Sequence, residues 1–126
     1  MKFIFAFSLF VLLSITISAQ SSNPKFDSTL AEKYGADNYG MKNYVLVILK
    51  TGTNTTQEKP FIDSCFAGHM KNISRLVDLG KLIVAGPLGK NEKTYRGIFI
   101  LNVTTFEEAN ELLQTDPAIK EKILDI

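Results

Sequence analysis

The chain is predicted to fold as an α+β domain of the ferredoxin-like kind, an antiparallel sheet with its helices on one face. Three observations lead there. Its apolar patterns run strand, helix, strand, strand, helix, in the order that fold uses. The connector between the second and third strands is short enough for a hairpin. Each helical segment carries one apolar stripe, so each has one face to bury.

The 126 residues, 45% hydrophobic and 21% charged, suffice for one ordinary domain and leave no room for a second. Residues 1–19 form a separate object. Lys2 precedes an apolar run from Phe3 to Leu13 that continues through Ile15 and Ile17, and Ser18-Ala19-Gln20 offers small residues before a polar stretch. This reads as a secretory signal peptide cut after Ala19; the run is short for a spanning helix of roughly 20 residues. The expectation is a secreted or periplasmic bacterial envelope protein that meets a membrane only transiently, during export.

Removal of Lys2 with that segment cancels the formal net charge of +1, leaving no excess to attract phosphate backbones, and nucleic acid is not an expected partner. Cys65 is the single cysteine, so no intramolecular disulfide can form. The sequons at Asn54, Asn72 and Asn102 are read as chance matches in a chain rich in Asn, Ser and Thr.

Residues 20–43 form a polar lead-in with one or two helical turns. The domain then occupies 44–126. Tyr44 to Lys50 is the first strand, and its unbroken apolar run predicts a central place with both faces covered. Pro60 suits the first turn of a helix over 61–79, in which Ile62, Cys65, Phe66, Met70, Ile73, Leu76 and Val77 recur at helical spacing. Gly80 ends it by accepting a left-handed conformation, and Leu82 to Ala85 follow as a strand closed by Gly86-Pro87. Tyr95 to Val103 is the third strand. Thr105 and Glu108 form a capping box for a second helix, and Asp116 caps a third, short helix with Pro117 in its first turn. Ile123 to Ile126 begins a last strand that breaks off, which would leave the first strand with a bare edge and a hazard of association; the expectation is that the chain is a fragment or that a partner or the lead-in segment covers that edge.

In this frame the chain resembles the YCII-related proteins from about Tyr39 to Leu124. The residues that carry the resemblance are His69 with Ile73, Leu76 and Gly80-Lys81-Leu82; Ala85-Gly86-Pro87; Arg96-Gly97-Ile98; Glu107-Glu108-Ala109; and Thr115-Asp116-Pro117. Tyr34-Gly35-Ala36-Asp37 and Tyr39-Gly40-Met41 are similar to the lead-in of exported members. The resemblance implies a ferredoxin-like domain that dimerises sheet to sheet, as in the dimeric α/β-barrel type shared with muconolactone-isomerase-like proteins. It also implies a His and Asp active-site pair, here His69 and Asp116. The chain departs from the family where a full last strand would stand.

A carboxylate that accepts one ring N–H of a histidine fixes the tautomer and leaves the second nitrogen as a general base. Such a pair supports isomerisation, elimination or hydrolysis of a small molecule with neither metal nor organic cofactor. The plainer reading of the same residues is a core histidine and a helix cap in a non-catalytic ligand-binding or dimerisation domain. Arg96, with better claim than Arg75, can hold a substrate carboxylate, and Gly86 and Pro87 can line a pocket. Cys65, one turn before His69, is an activated thiol on one reading and a buried small hydrophobe on the stronger one. One histidine without a carboxylate cluster does not make a zinc site, and no metal is expected.

Overall fold

The computed structural model describes residues 24–126, so the signal-peptide reading of 1–19 and the first residues of the lead-in lie outside the described residues. The chain divides into two compact units between Lys42 and Asn43. In the first, helix α1 (Ser28–Tyr34) is capped by Asp27, whose carboxylate accepts the N–H groups of Thr29 and Leu30, and ends at Gly35 with a φ of 67°. Asp37 then accepts the N–H groups of Tyr39 and Met41, closing a turn.

The second unit contains strands β1 (Val45–Thr51), β2 (Leu82–Pro87), β3 (Tyr95–Leu101) and β4 (Leu124–Asp125), with helices α2 (Lys59–Asp78), α3 (Phe106–Leu113) and α4 (Pro117–Lys120). The sheet is antiparallel in the order β2-β3-β1-β4. That order, with β1 and β3 central, is the ferredoxin-like arrangement expected from the sequence.

Alternation explains which side is the core. Val45, Val47 and Leu49 of β1 and Gly97, Phe99 and Leu101 of β3 are buried against the helices, while Leu46 on the other face is 60% exposed. The expectation that both faces of β1 are covered therefore fails within this chain: the strand alternates, and its apolar outer residues face away from the helices. Ile48, Ile98 and Ile100 are only half-buried there. The last strand is as short as expected, pairing only Lys50 with Asp125 and Thr51 with Leu124.

The helix ends follow from identifiable groups. Past the α2 C-terminus, Gly80 at a φ of 65° donates to Val77 and Lys81 donates to Leu76, the pair of bonds that closes a Schellman turn. Thr105 caps α3 by accepting the N–H of Glu108, but the expected reciprocal bond is replaced: the Glu108 carboxylate takes the Lys81 ammonium at 2.7 Å. Pro87 lies within β2 rather than beyond it, which an edge strand tolerates.

Helices α2 and α4 approach closely at Gly68. A methyl group built there would stand 2.6 Å from Cγ of Pro117. Glycine costs about 1 kcal/mol relative to alanine inside a helix, so propensity alone favours Gly68→Ala. Overpacking against a ring held at the start of α4 costs about 1–3 kcal/mol and is the larger effect. Gly68→Ala is therefore expected to lower stability by about 1 kcal/mol net, read as a lower urea midpoint at unchanged slope; a gain in stability would show that α4 moves freely.

Candidate functional site

His69 lies on the inward face of α2, and its ring stacks on Phe99 of β3 at 5.8 Å between centroids while Phe66 meets it edge-on at 6.2 Å. Its Nδ1 is 2.6 Å from Oδ2 of Asp116. Asp116 is wholly buried, and its other oxygen, Oδ1, accepts the N–H of Ala118 at 2.9 Å as the cap of α4. A carboxylate is acceptor-only, so Nδ1 is the donor and carries the ring proton in the neutral imidazole. The expected pair and the expected cap are thus one residue used twice.

A second set of bonds pins this turn. Asn72, one helical turn after His69, accepts two N–H groups from Arg75 at 3.2 and 2.8 Å and the hydroxyl of Thr115 lies 2.9 Å from the same oxygen. Arg75 also donates to Thr115 at 2.6 Å. The residue before Asp116 is therefore clamped to α2 three residues beyond His69. This occupies Arg75 and removes it as a free anion anchor.

On the far side of the imidazole lies a cavity of about 480 Å³, walled by Phe66, His69, Met70 and Ile73 of α2, Leu49, Gly97 and Phe99 of the sheet, and Ala85, Gly86 and Pro87 of the edge strand. Leu124 and Arg96 complete it. Nε2 has no protein partner among the described residues, and no buried side-chain nitrogen or oxygen there is left unpaired, so Nε2 is open to this space. His69, Gly86, Pro87 and Arg96 thus share one cavity with Asp116 behind the histidine. Phe66 was read only as part of the apolar stripe and Arg75 only as a second choice for holding a carboxylate, and neither the Phe99 stack, Gly68 nor the Asn72–Arg75–Thr115 clamp was foreseen; a glycine directly before the only histidine, in mid-helix, was the available signal.

Cys65 is buried one turn before His69. Burial, then the charges of Glu121 and Asp116, push its thiol above the ordinary range, against the direction a nucleophile needs. Among the described residues no three His, Cys, Asp or Glu side chains are grouped to hold a metal ion.

No family model and no curated protein matches the chain. Among solved structures, 5-chloro-2-hydroxyhydroquinone dehydrochlorinase from Burkholderia phenoliruptrix AC1100, in complex with 2,5-dihydroxybenzoquinone, is similar at 18% identity over 65% of this chain and 87% of that one, with a TM-score of 0.43.

Two outcomes are expected. Asp116→Asn keeps the shape but has one oxygen for two donors: with that oxygen on the Ala118 N–H its NH2 donates to Nδ1, which favours the ring proton on Nε2, and with it on His69 the Ala118 cap is lost. Nitrogen-resolved NMR of the single imidazole should show the neutral-ring proton on Nδ1 in the parent and a mixture of tautomers in the variant; a variant still wholly Nδ1-protonated would refute the orienting role. For Cys65 the folded chain holds the thiol proton to higher pH than the unfolded chain, so stability should fall as pH rises above the free thiol's value of about 8.5. Cys65→Ala should flatten that alkaline slope.

Proposed function

We propose that this chain is an exported, homodimeric, YCII-like enzyme that performs acid/base chemistry on a small organic molecule, with His69 as the base and Asp116 as its orienting partner. The single observation that carries this reading is an imidazole bonded through Nδ1 to a dry carboxylate while Nε2 opens on an apolar cavity large enough for a small molecule. In the proposed reaction Nε2 takes a proton from the substrate or from a water, the imidazolium is stabilised by Asp116, and the proton is returned to another atom of the substrate. That sequence covers isomerisation, elimination and hydrolysis. Gly86 and Pro87 line the cavity, and Arg96 stands at its wall as the substrate-binding cation. The N-terminal apolar segment supports export. The exposed Leu46, Ile83 and Val84, with the half-buried Ile48, Ile98 and Ile100, support burial of the open sheet face in a homodimer.

The test is proton exchange at carbon. Small lactones and ketones incubated with the protein in deuterated water should gain deuterium beside the carbonyl group. His69→Gln, verified as folded, should slow that exchange by about 10²–10⁴-fold, the usual share of a general base. Exchange that survives the substitution, or a folded protein that binds such compounds without exchanging any of them, would favour the non-catalytic binding domain. Sedimentation should give a dimer, and a monomer at every concentration would count against the assembly.

A further inference from the structure

A second cavity, of about 380 Å³, adjoins the first at Arg96 and is built from the β2–β3 loop and the end of β1, with Thr51, Lys90, Asn91, Thr94 and Tyr95 among its walls. Arg96 reaches both cavities because of a bulge. On β1, Leu49 pairs with Gly97 and the next residue, Lys50, pairs with Tyr95, so Arg96 is the extra residue between them. Regular alternation would turn it to the opposite face from Gly97; an unpaired bulge residue is re-aimed. Among the described residues, neither Arg96 nor Lys90 has an ion pair. The acid of the loop, Glu92, is not part of this wall but of a neighbouring surface.

The loop is also held rigidly and at a cost. The Asn91 amide donates to the carbonyls of Gly89 and Tyr95 at 2.9 and 2.8 Å, and its oxygen accepts the N–H groups of Lys93 and Tyr95, both at 3.1 Å. Thr94 is β-branched yet sits at a φ of 57°, and its carbonyl accepts the N–H of Thr51 at 3.0 Å. A β-branched residue in the left-handed region costs on the order of 1 kcal/mol or more and persists where surrounding bonds over-determine it. Here those bonds fix the loop whose Lys90 lines the second cavity together with Arg96.

We infer that the β2–β3 loop is an anion subsite, with Arg96 and Lys90 as its cations, contiguous with the His69 cavity through Arg96. The ligand it fits joins an apolar body, lodged among Phe66, Leu49 and Phe99, to a carboxylate held by the two cations. The inference rests on the proposed function for the site it extends, and it names the class of molecule: a small amphiphilic organic anion.

The experiment titrates the full chain with benzoate and with benzyl alcohol, its neutral counterpart of similar size, following backbone amides of residues 88–97 and the His69 ring by NMR. Benzoate should bind about tenfold more tightly than benzyl alcohol, as one charge-assisted contact predicts. Arg96→Gln should abolish that ratio, Lys90→Gln should reduce it about threefold, and Lys71→Gln on the exposed side of α2 should leave it intact. Equal affinity for the two probes, an unchanged ratio in Arg96→Gln, or no benzoate binding at about 10 mM overturns the subsite. If both probes move the His69 ring equally, the subsite fails while the acid/base reading stands. If the charge ratio holds and the His69 ring is silent, the apolar body does not enter the His69 cavity and the contiguous subsite is overturned, whereas failure of the acid/base reading is seen separately, in absent deuterium exchange.

Discussion

A carboxylate shut away from water is tolerated only when its acceptor positions are filled, and at Asp116 the two oxygens are filled by groups with different purposes. One bond starts α4. The other fixes the His69 ring. Removing one partner leaves a buried charged acceptor unsatisfied at a cost of about 3 kcal/mol, a fifth or more of an ordinary domain's stability, so the short helix and the imidazole orientation depend on the same buried carboxylate. The rest of the second unit is arranged to let the two meet. Gly68 permits α4 to lie against α2, and the clamp of Asn72, Arg75 and Thr115 fixes where the turn before Asp116 sits.

The histidine's surroundings then divide into two sides with different physics. Toward Asp116 the environment is dry and fully bonded; toward the cavity it is apolar and open. An apolar wall lowers the local dielectric, so the few charges that border it act over a longer range than they would in water. A charged group at the wall of such a space is screened less than the same group in open water.

Much of this was legible in the residues, and what was not has a physical reason. Helix and strand positions followed from period and punctuation: Pro60, Gly80, Thr105 and Asp116 each mark a boundary that the backbone respects. His69 and Asp116 were nominated by resemblance rather than by spacing, since 47 residues separate them and only the fold brings them to 2.6 Å. The cover of β1 was misread because a run of apolar residues does not distinguish a strand buried on both faces from one whose second face is left open. Glu108 was misassigned for a related reason: a capping box is a local pattern, and the Lys81 ammonium that takes the carboxylate comes from the turn between α2 and β2. Single-sequence patterns report neighbours along the chain, and these errors concern neighbours across it.

The two register shifts were the least legible features, and they shape the cavity most. Leu82 pairs with Leu101 while Val84 pairs with Ile100, so Ile83 is an extra residue on β2, just as Arg96 is on β3. Each insertion flips the inside–outside alternation of its strand beyond that point. After the first, Ala85 and Pro87 turn to the helix side and become cavity wall opposite Phe99 and Gly97. At the second, a cation gains access to a space that regular pleating would line with hydrocarbon alone. Neither shift leaves a composition or periodicity signal, because each strand segment on either side of it is a normal strand. Removing either one would keep the sheet and its pairing but exchange which side chains face His69. The chemistry open to the site is therefore set by where the pleat is interrupted as much as by which residues the strands contain.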